Sequence, residues 1–162
     1  VQELDVCFKA FDKIMDRYDG VEKIKTIGDA YMAASGLSTR KSLPNDLIRA
    51  ALEMQRFLNK ERAKREQLGL PFFTGRIGLH TGPVVAGVVG ARKFAYDIWG
   101  DTVNVASRIE SKSEPGQVNI SESTYHLIKY TFRCTYRGKV EAKNKGLIDM
   151  YFVDEELVGA PQ

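Results

Sequence analysis

Cysteine, histidine and proline are scarce in this chain: of 162 residues, two are Cys, two are His and five are Pro. Cys7 and Cys134 lie far apart and form no metal-ligand spacing. That excludes a disulfide framework or a zinc finger and reads as two free thiols in a reducing compartment. No apolar run approaches the roughly 20 residues that cross a bilayer, and no signal-peptide pattern is visible. The expectation is a cytoplasmic domain with no direct membrane contact of its own, leaving open an anchor elsewhere in a longer parent. An excess of one charge is also missing. Lys and Arg number 24 against 21 Asp and Glu, for a net charge of +3. This balance suits an anionic small ligand and falls short of a nucleic-acid footprint, so no nucleic-acid partner is expected. The phosphate loop of the Walker pattern is absent as well.

What is present fits one globular domain, with 43% hydrophobic and 28% charged residues. The length allows a real core. The chain opens in a helical pattern without an initiator Met, and it reads as a domain or fragment of a longer protein. Leu4, Cys7, Phe8, Phe11, Ile14 and Met15 are spaced for a first helix, which Asp19-Gly20 ends. Val21 to Ile27 and Ala30 to Gly36 read as a hairpin around Gly28-Asp29. Ser38 to Asn45 reads as a loop, and Asp46 to Gln67 as a long amphipathic helix closed by Gly69 and Pro71. Phe72 to His80 reads as a strand, with Val84 to Val89 its hairpin partner across Thr81-Gly82-Pro83. Gln117 to Ile120 reads as a short strand, and Ser121 as the cap of a helix to Ile128. Phe132 to Val140 and Leu147 to Val153 are the last strands, and residues 154–162 read as a frayed tail. Hairpins separated by single helices argue an α+β fold, a largely antiparallel sheet with helices against it.

Three stretches carry candidate chemistry. In Tyr96-Asp97-Ile98-Trp99-Gly100-Asp101-Thr102-Val103-Asn104-Val105-Ala106-Ser107-Arg108 an extended run breaks at Gly100 and continues as a helix. Asp101 can cap that helix. Val103, Ala106 and Ile109 mark its apolar side, and Asn104 and Arg108 lie four apart on another face. An amide beside a guanidinium suits a polyanion that also carries hydroxyls; for such a pair alone a solvated face is the simpler reading. In Lys25-Thr26-Ile27-Gly28-Asp29-Ala30-Tyr31-Met32, Asp29 sits at a hairpin tip, ordinarily a plain turn residue. A carboxylate there can also hold Mg²⁺ together with substrate phosphates. Lys25 within a strand calls for a partner or a ligand. In Gly78-Leu79-His80-Thr81-Gly82 the glycines read as sites of close backbone approach, and His80 as structural. The turn Lys143-Asn144-Lys145-Gly146 is basic and gains meaning only beside Arg108.

Together these stretches resemble the catalytic domain of class III nucleotidyl cyclases, the adenylyl and guanylyl cyclases, over residues 1–153. The resemblance implies a ferredoxin-like βαββαβ core working as a head-to-tail dimer with active sites at the interface. It implies a lyase that converts ATP to 3′,5′-cyclic AMP and pyrophosphate, with two Mg²⁺ or Mn²⁺ ions per site. By position, Asp29 matches a metal aspartate, and Lys25 and Asp97 match the residues that read the purine. Ile98 matches a backbone contact to the base. Asn104 matches the ribose-orienting residue, Arg108 the residue that meets charge on the α-phosphate, and Arg92 and Lys143 triphosphate contacts. Guanylyl cyclases typically resemble Glu and Cys at the two purine positions. Here an Asp accepts from a 6-amino group and a Lys donates to a ring nitrogen, which suits adenine and mismatches guanine. The family's first metal aspartate sits on a strand ahead of the first helix, and that N-terminal strand is absent from this sequence. Because one chain carries residues for both halves of a site, a homodimer is expected. The alternatives are a guanylyl cyclase or a catalytically silent nucleotide-binding or dimerisation module. A diguanylate cyclase is unsupported, since its Gly-Gly-Asp/Glu-Glu-Phe signature is nowhere in the chain.

Overall fold

The protein is described by a computed structural model covering residues 2–37 and 43–159. Helix α1 (Gln2–Met15) places Cys7, Phe11, Ile14 and Met15 on one buried side. They pack on Ala50, Met54 and Leu58 of α2 (Asn45–Gln67). The adjacent part of the same face of α2 offers Ile48 and Ala51 to a second core built from Leu79, Val118, Ile120, Ile128, Phe132 and Val153. The helix therefore divides the core in two, as an apolar stripe wider than a single contact line must. Gln55, 4% exposed, ties α2 to the chain beside it by donating Nε2 to the carbonyls of Gly75 and Gln117 at 2.8 and 2.9 Å.

Strands β1 (Val21–Ile27) and β2 (Ala30–Ser35) form the anticipated hairpin. Gly28 has φ 58, the positive sign a two-residue hairpin turn requires. The larger sheet runs in the order β3 (Ile77–Leu79), β6 (Val118–Ser121), β8 (Gly146–Glu156), β7 (Phe132–Ala142). Only β3 and β6 pair in parallel there. A third unit pairs β4 (Val85–Val89) with β5 (Ala95–Trp99). Helix α3 (Asp101–Ser111) follows β5 directly, and α4 (Glu122–Ile128) follows β6. This is the expected α+β class with antiparallel pairing dominant.

The expected hairpin of Phe72 to His80 with Val84 to Val89 does not form. β3 is three residues long and pairs with β6, and β4 pairs with β5. The segment after His80 is drawn across the start of α3 instead of folding back. Thr102 Oγ1 donates to the Pro83 carbonyl at 2.6 Å. A Cβ on Gly82 would sit 2.5 Å from that same Oγ1. The last strand also outruns its expected end at Val153. Glu156 still pairs with Phe132 and takes both Nε and Nη2 of Arg49, at 2.9 and 3.0 Å, so the tail is anchored to that point. Val1, residues 38–42 of the predicted loop and residues 160–162 of the predicted tail lie outside the described residues.

Among the described residues no strand precedes α1, and no ladder joins β2 to β3. Yet Tyr31 and Ala33 of β2 and Ile77 of β3 pack against the same α1–α2 core.

Candidate active site

The site residues begin on β1. Its ladder with β2 shifts register between Lys23 and Lys25. A bulge of this kind re-aims the side chains on either side of it, and here the two lysines take different partners. Lys23 Nζ lies 3.2 Å from Asp12 and 5.3 Å from the centre of the Tyr31 ring. Lys25 Nζ instead donates to Asp97 Oδ2 on β5 at 2.8 Å. The other carboxylate oxygen of Asp97 accepts the backbone N–H of Ile98 at 2.8 Å. The Lys25 ammonium, and after it this backbone donor, hold the Asp97 carboxyl below its ordinary range. Asp97 keeps 20% of its side chain exposed and Lys25 40%, so the pair is reachable from outside. Ile98, whose N–H donates to Asp97, is 7% exposed.

The turn from β5 into α3 brings the second group of residues. Gly100, at φ 128, stands at the N-cap position, and Asp101 is the first helical residue with no side-chain cap bond. The expected capping role of Asp101 is thus replaced. Its carboxylate takes the ammonium of Lys145, from the turn between β7 and β8. The buried stripe of α3 runs through Val105 and Ile109, which meet Ala142 and Met150, and Val103 and Ala106 are only half-buried. Asn104 and Arg108 stand one residue ahead of that stripe, with Asn104 exposed and Arg108 half-buried. Gly78 lets β3 lie against this helix, since a Cβ there would come within 2.2 Å of the Glu110 nitrogen. Ser121 likewise closes no cap bond. Its hydroxyl lies 2.6 Å from His80 Nδ1 and 3.0 Å from Ser123 Oγ, which gives His80 a structural setting. Burial lowers the His80 pKa from its ordinary value.

Asp29 is exposed at the β1–β2 tip, Arg92 between β4 and β5, and Lys143 in the β7–β8 turn. No hydrogen bond or ion pair among the described residues joins these three to one another, to Asn104 and Arg108, or to the Lys25–Asp97 pair. One chain unites the two purine candidates and places Asn104 and Arg108 on the helix after them, while Asp29 stands at the tip of the hairpin that carries Lys25. Among the described residues no three His, Cys, Asp or Glu side chains form a cluster able to hold a metal. Asp29 alone suits a Mg²⁺ ion whose remaining ligands are water and substrate phosphates. The Asp101–Lys145 pair was not legible beforehand, because no local signal links residues 44 apart. No helix among the described residues is long and apolar enough to cross a membrane.

The model of the adenylate and guanylate cyclase catalytic domain matches residues 1–155. An adenylate cyclase of Mycobacterium tuberculosis is 41% identical over 161 residues, 99% of this chain and 35% of that protein. Guanylyl cyclase C of Homo sapiens is 40% identical over 158 residues, 94% of this chain and 14% of that protein. The chain thus spans about a third or less of these relatives. The crystal structure of the adenylyl cyclase CyaB from P. aeruginosa superposes with a TM-score of 0.87 at 28% identity, covering 99% of this chain and 84% of that one.

Proposed function

The chain belongs to the adenylate and guanylate cyclase catalytic domain family, and we propose that its substrate is ATP and its product 3′,5′-cyclic AMP. The observation that carries this reading is the Lys25–Asp97 contact at 2.8 Å. An ionised Asp97 is an acceptor for the adenine 6-amino group, and Lys25 is a donor for a ring nitrogen. Guanine held in the same orientation sets its O6 acceptor against the Asp97 acceptor and its N1–H donor against the Lys25 donor, so both contacts are mismatched.

In the proposed reaction the ribose 3′ oxygen attacks the α-phosphorus, the α–β bridging P–O bond breaks, and pyrophosphate leaves with that electron pair. The 3′-hydroxyl proton is lost to solvent or substrate. Asn104 orients the ribose, and the Arg108 guanidinium meets the negative charge that grows on the α-phosphate oxygens. Arg92 and Lys143 bind the triphosphate, and the backbone of Ile98 touches the base. Asp29 is the proposed ligand for Mg²⁺ or Mn²⁺, with two ions proposed per site. When bound, such ions lower the charge on the phosphates and the pKa of the attacking hydroxyl.

The proposed enzyme works as a head-to-tail homodimer, in which a second copy brings its own Asp29 tip to the site. The exposed apolar residues support this. Val85, Val88, Phe94 and Trp99 on or beside the β4–β5 hairpin are 56%, 64%, 75% and 42% exposed, and Ile27 beside the Asp29 tip is 59% exposed. A two-stranded hairpin with so much apolar surface is marginal alone, and a second copy would bury it. A guanylyl cyclase is the second reading, favoured by the 40% identity to human guanylyl cyclase C. Product analysis of the full-length protein with ATP and with GTP, each with Mg²⁺ and Mn²⁺, separates the two. Cyclic AMP is expected, and cyclic GMP without cyclic AMP would sink the assignment.

A further inference from the structure

The ion pair between Lys145 and Asp101 has no part in the reading above. It fastens the β7–β8 turn to the first turn of α3. Asn144 at φ 64 and Gly146 at φ 73 reverse the chain there, and the Lys145 N–H donates to the Ala142 carbonyl at 2.9 Å. At the base of the turn Ala142, 1% exposed, packs on Val105 and Ile109 of α3. The turn thus meets α3 at two points, one apolar and one ionic. Lys145 keeps 28% of its side chain exposed, and Asp101 69%. Lys143, two residues away, is exposed and forms no ion pair among the described residues.

The consequence is electrostatic. Asp101 stands about one turn ahead of Asn104 and two ahead of Arg108, on the helix proposed to face the phosphates. A carboxylate is welcome at a helix N-terminus when alone, but it repels a polyanion that approaches the same helix. Lys145 cancels that charge where it arises. We infer that Lys145 is a positioning residue that works through Asp101, neutralising it so that a polyphosphate meets a net positive surface at α3. This inference rests on the cyclase reading for the identity of the polyphosphate, and it leaves Lys145 out of contact with substrate.

The experiment is a double-mutant cycle in the full-length protein, read by calorimetric titration with ATP and with inorganic tripolyphosphate, and by thermal melting. Lys145→Ala is expected to weaken both ligands by roughly fivefold, the scale of one partly exposed charge contact, with the melting temperature little changed. Lys145→Arg keeps the pair and binds as the wild type does. Asp101→Asn combined with Lys145→Ala restores most of the loss, because the uncompensated carboxylate is gone. Wild-type binding by Lys145→Ala, or a double variant no tighter than Lys145→Ala, overturns the inference. A wild type that binds ATP and makes no cyclic product overturns the proposed function, and the tripolyphosphate cycle still decides this inference. A wild type that binds neither probe overturns both.

Discussion

Lys25 Nζ and Asp97 Oδ2 meet at 2.8 Å although 72 residues separate them in sequence. The contact joins the tip-bearing hairpin to the strand that leads into α3, so two independently built parts share one polar anchor. Both side chains are already paired and only partly exposed. For the proposed purine this is a preorganised arrangement, one that rewards a matched hydrogen-bonding pattern without rearranging the strands.

Arg108 is predicted to act on the transition state and not on the fold. Its side chain forms no hydrogen bond or ion pair among the described residues, so little structure is lost with it. Arg108→Ala should raise the barrier by about 3 kcal/mol, roughly a hundredfold in kcat, with an unchanged melting temperature. Steady-state kinetics together with a thermal melt check this; a variant with wild-type kcat removes Arg108 from the chemistry.

Gly78 is predicted to tolerate no added side chain. An added Cβ would sit 2.2 Å from the Glu110 nitrogen and 2.6 Å from the Ile109 carbonyl carbon, both backbone atoms that cannot rotate away. Gly78→Ala should cost about 1–3 kcal/mol or more through overpacking. At Gly87 the nearest atom, on Trp99, would be 3.5 Å away, and Gly87→Ala should stay within about 0.5 kcal/mol. Urea denaturation midpoints of the two variants compare them directly.

His80 is predicted to make the fold acid-sensitive in a defined direction. Burial holds its imidazole below the ordinary value of 6.5. The folded chain therefore takes up its proton at lower pH than the unfolded chain does. The stability tied to the neutral ring is fully present above 6.5 and is lost as pH falls from there through the lower folded value. His80→Gln should flatten the wild-type loss of stability in that window. Urea midpoints measured from about pH 8 down to pH 5 test it, and equal slopes in both proteins would contradict it.

The parts of this molecule that sequence alone revealed are those fixed by neighbours in the chain. The β1–β2 hairpin was legible because Gly28-Asp29 breaks two strand-like runs, and α2 because Leu47, Ile48, Ala51, Leu52, Gln55 and Leu58 share one side at helical spacing. Local pattern failed where a distant partner decides. Val85–Val89 carries no local mark of its partner, and it pairs with β5 and not with β3, while Thr102 holds Pro83 at the start of α3. Asp101 has every local mark of a cap, yet a lysine from the far end of the chain claims its carboxylate. The candidate site divides in the same way. Asn104 and Arg108 are four apart on one helix and could be read directly, whereas the joining of Lys25 to Asp97 required the fold or a family resemblance.

The central claim is that Lys25 and Asp97 select the purine. The ratio of kcat/KM for ATP to that for GTP, in the full-length wild type and in the Lys25→Glu/Asp97→Cys double variant, tests it most directly. A wild type that favours ATP and a double variant whose ratio falls by roughly a hundredfold or more, with GTP now accepted, is the predicted result. ATP turnover that survives the double change undiminished would contradict it.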